Sequence, residues 1–268
     1  MDLNTVTAIV QPTARAAIPA PQPGDAFLAG GTWLFSEPQD ELKRLIDLPS
    51  LGWPALTQTP DGLQIAATCT LAELQAFSTP ADWRAANLIG QCCQALLGSF
   101  KIRRVATVGG NLCLALPAAP MAALAVALDG VCAIWSEDGT ERSLPAASFI
   151  TGARQTALRP GEILRAITLS AATLRRRAGL RQMSLTSLGR SAALLIATTD
   201  GACFNLTITA AVAHPVRIDF QRAPTASALA AAIDAAIPVW YDDLHGRPDW
   251  RRRITHDLAA ELRKELQP

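Results

Sequence analysis

The stretch Ile-Arg-Arg-Val-Ala-Thr-Val-Gly-Gly-Asn-Leu at 102–112 contains a short β-branched run that leads directly into a pair of glycines. A second pair occurs in Leu-Ala-Gly-Gly-Thr-Trp at 28–33. Each pair follows a predicted strand and precedes a possible helix. Because glycine has no Cβ atom, such turns allow backbone N–H groups to approach an anion closely. Two loops of this kind that converge on one ligand would suit the pyrophosphate of a dinucleotide.

Polar side chains accompany both glycine pairs: Thr32 and Thr107 could add hydroxyl donors, and Asn111 an amide. Either pair alone is still weak evidence, because Gly-Gly is commonly a plain turn. Neither pair follows the G-x-G-x-x-G fingerprint of the usual dinucleotide-binding fold. The glycine pairs by themselves therefore leave both interpretations open.

Hydrophobic periodicity and turn residues predict a mixture of strands and helices along the whole chain. A capping box formed by Thr70 and Glu73 is expected to open a helix over 71–77, and Gly98 to end a longer helix. The other predicted elements are strands at 5–10, 26–28, 45–48, 57–59, 63–68, 105–108, 131–135, 141–144, 180–188, 191–199 and 203–212, and helices at 37–45, 83–97, 225–237 and 248–266. The turns Pro60-Asp61-Gly62 and Glu137-Asp138-Gly139 each predict a hairpin between the strands that flank them, and Thr225 is expected to cap the helix at 225–237.

The fuller motifs resemble a known family. The stretches AGGTWLFS (29–36) and IRRVATVGGNL (102–112) resemble the two flavin loops of the molybdopterin dehydrogenases, which include the medium subunits of carbon monoxide dehydrogenases and the flavin domain of xanthine dehydrogenases. Two later stretches, LRPGEILRAITL (158–169) and DWRRRITHDLAAELRKEL (249–266), are also similar to this family. The resemblance extends from about Leu28 to Leu266.

The resemblance implies a mixed α+β fold in two domains. The first would be a flavin-binding domain of the PCMH type at 1–173, with subdomains at about 1–55 and 56–173. The second, at 174–268, would be a small α+β C-terminal domain of the carbon monoxide dehydrogenase flavoprotein type, with a three-stranded sheet and helices. The break near 173–179, which contains three consecutive arginines, is where we expect the boundary.

The resemblance also implies which residues contact FAD. The glycine loops would contact its pyrophosphate, Leu97 and Leu164 would line the flavin pocket, and Arg181 would occupy the place of a lysine close to the isoalloxazine. Leu97 and Leu164 fit a plain core role equally well, and Arg181 an ordinary surface charge. The implied residues are Leu28, Ala29, Gly30, Gly31, Thr32, Trp33, Leu34, Leu97, Thr107, Val108, Gly109, Gly110, Asn111, Leu164 and Arg181.

Three positions depart from the family pattern. An Asp that usually follows the first glycine pair and its Thr is Trp33 here, and the usual Ser and Asp after the second pair are Leu116 and Pro120. Each lost hydrogen bond would weaken FAD binding by about 0.5–1.5 kcal/mol. We therefore expect FAD binding to be weakened rather than abolished.

The function implied is electron transfer. A FAD-binding subunit of a molybdenum hydroxylase would take electrons from a small [2Fe-2S] subunit, itself served by a large molybdenum-cofactor subunit, and pass them to NAD⁺ or another acceptor. The alternative is a flavin-free scaffold subunit of the same complex, in view of Leu116 and Pro120. A self-contained flavin oxidase is a third hypothesis, which the small C-terminal part disfavours.

Composition restricts the other function classes. The 268-residue chain is 50% hydrophobic with a net charge of +1, so no nucleic-acid partner is predicted. No signal peptide and no membrane span are predicted, and six cysteines without a C-x-x-C pair indicate buried thiols in the cytoplasm. No catalytic side chain and no metal site are expected, because the three histidines are scattered.

Two charged groups have other uses in principle. The arginine runs at 175–177 and 251–253 are interpreted as solvated faces, with a subunit interface as the functional alternative. Asp242 and Asp243 with His245 could form a metal or acid–base site, but a polar loop is the simpler interpretation.

Overall fold

The computed structural model describes residues 3–267, which form four sheets and nine α-helices. The strands are β1 (Ala8–Val10), β2 (Asp25–Leu28), β3 (Arg44–Asp47), β4 (Leu56–Thr59), β5 (Gly62–Ala66), β6 (Val131–Trp135), β7 (Glu141–Pro145), β8 (Ile150–Gly152), β9 (Gln155–Thr156), β10 (Ile163–Ser170), β11 (Arg177–Met183), β12 (Ala193–Thr199), β13 (Phe204–Thr209) and β14 (Val216–Phe220). The helices are α1 (Leu71–Ala76), α2 (Asn87–Ala95), α3 (Phe100–Arg103), α4 (Val108–Leu114), α5 (Pro120–Ala127), α6 (Ala146–Phe149), α7 (Ala171–Leu174), α8 (Ala226–Ala236) and α9 (Pro248–Glu265).

The N-terminal sheet is parallel and small, with the order β1-β3-β2. Arg44 and Asp25 form an ion pair of 2.6 Å at the starts of their adjacent strands. The first glycine pair follows β2 directly. The helix predicted at 37–45 is wrong: this stretch contains only turns before β3 begins. The sheet accounts for the failure, because the N–H groups of Lys43 and Arg44 donate to Gly24 O at 2.8 and 3.1 Å rather than to helical acceptors.

The second sheet is antiparallel, with the order β4-β5-β10-β6-β7. Both predicted hairpins are confirmed, as β4–β5 and β6–β7. The capping box is also confirmed, because the Thr70 side chain accepts from the Glu73 N–H while the Glu73 carboxylate accepts from the Thr70 N–H. These local signals were reliable because the partners are only three residues apart.

Two predictions next to the second glycine pair were less accurate. The long helix is divided into a 3₁₀ turn at Arg84–Ala86 followed by α2, and the residue after the helix with left-handed backbone is Leu97, with φ 49°, rather than Gly98. The strand predicted at 105–108 does not form, and α4 begins there instead, capped by the Thr107 hydroxyl. The second glycine pair therefore lies inside the first turn of a helix.

The C-terminal sheet has four strands in the order β11-β12-β13-β14, one more than predicted. The missed strand, β14, reads Val-Arg-Ile-Asp-Phe at 216–220 and alternates apolar and polar residues, which is the pattern of a half-buried strand, so a sequence signal for it was present. Strands β12 and β13 are buried throughout, because α5 from the first part of the chain covers one face and α9 packs on the other side. The predicted cap of α8 by Thr225 is confirmed. The mixed α+β class is confirmed as well.

None of the helices between residues 3 and 267 is long and apolar enough to span a membrane.

Candidate functional site

A cleft of about 870 Å³ lies between the two glycine loops and the C-terminal sheet. This volume falls within the range of roughly 300–1,000 Å³ that is usual for small-molecule and cofactor sites. Its walls come from three parts of the chain: the loop after β2, the segment from the end of α2 to α5, and two loops of the C-terminal part. Both glycine loops contribute to the lining of the cleft, the first through Gly30 and Gly31 and the second through Gly110.

The first glycine loop offers unpaired backbone donors. Within the loop, the Phe35 N–H donates to Gly31 O at 2.8 Å and the Ser36 N–H to Trp33 O at 2.9 Å. The N–H groups from Gly30 to Leu34 have no hydrogen-bond partner anywhere in the described chain. Gly31 has a φ of +68°, a conformation that L side chains rarely adopt. Successive free N–H groups around such a turn are a common form of anion site.

Gly30 allows the two loops to touch. A Cβ atom added at Gly30 would lie 1.7 Å from the carbonyl oxygen of Val105, which belongs to the segment leading into the second glycine pair. No side chain can be accommodated at that distance, and backbone on both sides would have to move. The glycine is therefore required by the close approach of the two walls of the cleft.

The second glycine loop has no free donors at its start. The N–H of Val108 donates to Cys69 O, that of Gly109 to Ala67 O and that of Asn111 to Thr107 O, at 2.9–3.0 Å. The remaining N–H, of Gly110, donates to the Thr107 hydroxyl at 3.0 Å. A Cβ atom at Gly109 would lie only 2.4 Å from the Cβ of Ala67. This glycine pair serves close packing of α4 on the segment after β5, rather than presenting N–H groups to a ligand.

Asn111 links the second loop to the next helix. Its side-chain oxygen accepts from the Met121 N–H at 3.0 Å, in the first turn of α5. That oxygen is therefore occupied, while the amide NH₂ of Asn111 remains available on the cleft side. Gly110 also lines the cleft, so the second loop supplies surface and one side-chain donor.

Most of the residues implied by the resemblance line the cleft. They are Leu28, Ala29, Gly30, Gly31, Thr32, Trp33, Leu34, Leu97, Thr107, Gly110 and Asn111. Val108 and Gly109 are packed behind the wall, and Leu164 is 2% exposed in the middle of the second sheet, paired with Ile134 on β6. A flavin contact for these three residues has no support from their position.

Arg181 also lies away from the cleft lining. Its guanidinium donates to Glu261 at 2.9 Å and to Glu265 at 2.6 Å, both on α9. These two carboxylates raise the pKa of the Arg181 guanidinium. The ion-paired surface charge is therefore the interpretation that the geometry favours, and a flavin contact stays a prediction without structural support.

The three departures from the family pattern occupy different environments. Trp33 lines the cleft and carries the Arg154 guanidinium 5.6 Å above its ring centroid. Leu116 also lines the cleft, so an apolar side chain stands where the family pattern has a hydroxyl. Pro120 is buried at the first position of α5, where proline is well suited because no helical N–H is lost.

Sequence reasoning missed the C-terminal contribution to the cleft. Leu188 and Arg190, from the loop between β11 and β12, and His245, from the loop before α9, line the same cavity. Their sequence surroundings carry no ligand motif, and only the packing of the C-terminal sheet brings them there. Ser99 and Ile102, which flank Phe100 at the start of α3, were missed as well.

Arg251 is not on a solvated face, as was predicted for the run 251–253. Its side chain is 1% exposed and donates to Gly246 O at 2.8 Å and Ala192 O at 2.6 Å, and also to Ala210 O and the Asp243 carboxylate. The guanidinium binds all these acceptors because its planar donors point in several directions. Arg251 thus fastens the 243–246 loop to the C-terminal sheet.

Metal-binding and thiol chemistry have little support within residues 3–267. No group of three or more His, Cys, Asp or Glu side chains in this range is arranged to hold a metal ion. Cys69 and Cys132 are buried free thiols, and burial raises the pKa of each to about 12. Cys113 differs from them, because it lines the cleft.

The FAD-binding domain of molybdopterin dehydrogenases matches residues 8–171 of this chain. The chain belongs to this family. The match includes both glycine loops and most of the cleft, so the family assignment and its cofactor, FAD, agree with the predictions from the motifs. The family is one of oxidoreductases, and the matched part is its flavin-carrying part rather than its molybdenum-carrying part.

Solved structures of related fold cover the rest of the chain. Quinoline 2-oxidoreductase from Pseudomonas putida 86 matches with a TM-score of 0.78 and 19% identity over 100% of both chains. Carbon monoxide dehydrogenases from Hydrogenophaga pseudoflava and Oligotropha carboxidovorans match with TM-scores of 0.74 and 0.76, at 20% and 21% identity, over 89% and 90% of this chain and 88% and 90% of theirs. The PCMH-type mixed α+β fold is confirmed by this likeness.

A curated relative is similar in sequence over a shorter region. Xanthine dehydrogenase of Oryza sativa subsp. japonica is 33% identical over 115 residues, which is 41% of this chain. The matched region is only 8% of that much longer protein.

Proposed function

We propose that this chain is the FAD-binding electron-transfer subunit of a molybdenum hydroxylase. It would accept electrons from a [2Fe-2S] subunit, which receives them from a large molybdenum-cofactor subunit, and deliver them to NAD⁺ or another acceptor. The observation that carries the proposal is the row of backbone N–H groups from Gly30 to Leu34, which donate to no acceptor among residues 3–267 and belong to residues that line the cleft.

The residues present fit the cofactor. Backbone N–H groups without partners are a suitable site for a pyrophosphate, because they donate hydrogen bonds without requiring a charged side chain. The cleft continues past them along apolar residues that would exclude water from the flavin ring. The apolar residues concerned are Leu28, Leu96, Leu97, Ile102, Leu114 and Leu116.

This site indicates which roles belong to the flavin and which belong to the residues of the chain. A bound flavin supplies the redox chemistry, since it can exchange electrons singly or in pairs. The chain's own residues hold the pyrophosphate at the first glycine loop, cover the ring with apolar side chains and offer the Asn111 amide as a further donor. No residue of this chain needs to act on the substrate of the hydroxylase.

The partners are proposed from relatives of the same fold. The solved structures that match over nine-tenths or more of this chain are named as molybdenum-containing carbon monoxide dehydrogenase and quinoline oxidoreductase. We propose the same kind of assembly here, with the FAD domain ending near residue 173 and a C-terminal domain that begins near residue 174. The absence of disulfides among the described cysteines fits a cytoplasmic complex.

One observation favours the alternative of a flavin-free scaffold. Leu116 lines the cleft with a side chain that can make no hydrogen bond, at the position where the family pattern has Ser. A scaffold subunit would retain the fold but would not bind the cofactor. The first loop argues against this alternative, because its unpaired N–H groups would then have no ligand.

A cofactor analysis of the purified chain tests the proposal. The protein should show the visible absorption bands of an oxidised flavin, and acid should release FAD in an amount close to one per chain. Addition of a reduced [2Fe-2S] partner protein should bleach those bands without any substrate of the hydroxylase. A colourless protein that takes up no added FAD, alone or with its partner subunits, would support the scaffold instead.

A further inference from the structure

The cleft contains two nitrogen-bearing side chains that the family motifs do not explain. Arg190 and His245 line it from two loops of the C-terminal part of the chain, and the two residues are 55 positions apart in the sequence. The ion pairs and hydrogen bonds among residues 3–267 include none made by the Arg190 guanidinium or the His245 ring, whereas the His245 backbone N–H donates to the Asp243 carboxylate at 2.8 Å. A guanidinium that faces a cleft without a carboxylate partner is suited to an anionic ligand.

Packing brings these two side chains to the same end of the cleft. A Cβ atom added at Gly246, the residue after His245, would lie 3.2 Å from the Cβ of Ala192, two residues after Arg190. The 243–246 loop is closed by a bond from the Gly246 N–H to Asp243 O at 3.1 Å. Ala192 and Gly246, which follow Arg190 and His245 in the sequence, therefore lie next to one another.

Arg251 fixes that arrangement. From the first turn of α9 its guanidinium donates to Asp243 and Gly246 on one loop and to Ala192 on the other. A buried, fully hydrogen-bonded side chain that joins both loops restricts their relative movement. Arg251 is therefore a positioning residue, and the two loops present Arg190 and His245 from a rigid base.

We propose that Arg190 and His245 form an anion subsite that binds a phosphate group of a dinucleotide in the cleft. The inference rests on the proposed function and adds to it a contact from the C-terminal domain. The phosphate can come from two sources: the pyrophosphate of FAD itself, or the pyrophosphate of a nicotinamide dinucleotide that acts as electron acceptor. Both sources present the same chemistry to a guanidinium and an imidazole N–H.

The test compares a double variant, Arg190→Gln with His245→Gln, with the control Arg247→Gln. Arg247 is two residues from His245, its side chain is 85% exposed, and it does not line the cleft. Thermal unfolding of all three proteins checks the fold. Calorimetry then measures the affinity of the apo-protein for FAD, and the affinity of the FAD-loaded protein for ADP-ribose as a non-reactive probe of the acceptor.

The double variant should bind one of the two ligands about 10- to 100-fold more weakly than wild type, the loss expected for charged hydrogen bonds. A loss for FAD assigns the subsite to the flavin nucleotide, and a loss for ADP-ribose assigns it to the acceptor, while Arg247→Gln changes neither. Affinities unchanged in both measurements would overturn the proposal.

Failure of the proposed function would give a different result. If wild type binds no FAD, the electron-transfer role fails, and ADP is then titrated into the wild-type and variant apo-proteins. Tighter binding of ADP by wild type than by the double variant supports the subsite. Equal or absent binding of ADP overturns it.

Discussion

The two glycine loops have almost the same sequence pattern but opposite uses of their backbone. In the first loop, the N–H groups from Gly30 to Leu34 belong to residues that line the cleft and have no acceptor in the described part of the chain. In the second, the N–H groups from Val108 to Asn111 are all bonded within the protein. A glycine pair therefore indicates that another group approaches the backbone closely. That group can be a ligand or another segment of the protein.

The largest effect is expected from Gly30→Ala. The new Cβ atom would clash with the carbonyl oxygen of Val105, and backbone must shift to relieve the contact. We expect a loss of at least about 3 kcal/mol in the free energy of unfolding, together with loss of FAD binding. Chemical denaturation and FAD titration measure the two effects.

Gly90→Ala is the matched control for that variant. Gly90 lies inside α2, and a Cβ atom there would meet nothing within 4 Å. Replacement by alanine should stabilise the helix by up to about 1 kcal/mol and leave the FAD affinity unchanged. If Gly30→Ala were as well tolerated as Gly90→Ala, the two loops could not be in the contact described.

A smaller effect is expected from Glu162→Gln, at the residue that precedes β10 of the second sheet. Glu162 is 6% exposed and pairs with Arg142 at 2.6 Å, and this pair lowers the pKa of the Glu162 carboxyl to about 2. Loss of the charged hydrogen bonds should cost about 2 kcal/mol of stability at neutral pH. The affinity for FAD should not change, because Glu162 does not line the cleft.

The pH dependence of the same variant follows from the sign of the shift. The folded pKa lies below the usual value of 4.5, so the carboxylate stabilises the protein above that pH. This contribution is lost as the pH falls towards about 2. The difference in unfolding free energy between wild type and Glu162→Gln should therefore shrink across this window, and a constant difference would contradict the assignment.

Thr107→Val tests the second loop itself. The hydroxyl of Thr107 caps α4 by accepting from the Gly110 N–H. Its loss should lower the stability by about 1 kcal/mol, as for other N-cap residues. The backbone N–H groups of this loop are already bonded within the protein. The FAD affinity should therefore fall by less than about threefold, a change of under about 1 kcal/mol. A loss of FAD binding in a folded Thr107→Val protein would remove the distinction between the loops.

The smallest effect, and the only gain in affinity, is expected from Leu116→Ser. The serine would return a hydroxyl to the cleft wall, where the family pattern has one. A single added hydrogen bond should tighten FAD binding by about 0.5–1.5 kcal/mol, which is roughly 2- to 12-fold. Leu114→Ser, a change of the same chemistry at another cleft residue, serves as the comparison and should show no gain.

Local signals in the sequence predicted a large part of this structure. The capping residues Thr70 and Thr225 and the two hairpins were found because their partners lie within a few residues. The turn at the first glycine pair is also present, with Gly31 at φ 68°, whereas the second pair lies inside α4. The helix expected at 37–45 does not form because its last residues join the N-terminal sheet, where Lys43 and Arg44 donate to Gly24 O.

The remaining features depend on residues far apart in the chain. The bonds that occupy the second loop come from Ala67 and Cys69, about forty positions earlier, and the acceptor of Arg251 at Ala192 is 59 positions away. Helical spacing places Arg251 on the same face of α9 as the buried Ile254 and Leu258, but its acceptors lie on loops whose position the sequence does not predict. The same holds for Arg190 and His245, which reach the cleft only because the C-terminal sheet packs against α5.

Amide hydrogen exchange of the two loops, with and without FAD, shows which loop donates hydrogen bonds to the pyrophosphate. We predict that amides from Gly30 to Leu34 exchange rapidly in the apo-protein and become protected when FAD binds. Amides from Val108 to Asn111 should already be protected in the apo-protein, and FAD should change them little. Rapid exchange at 108–111 that FAD suppresses, with no change at 30–34, would contradict the account and assign the pyrophosphate to the second loop.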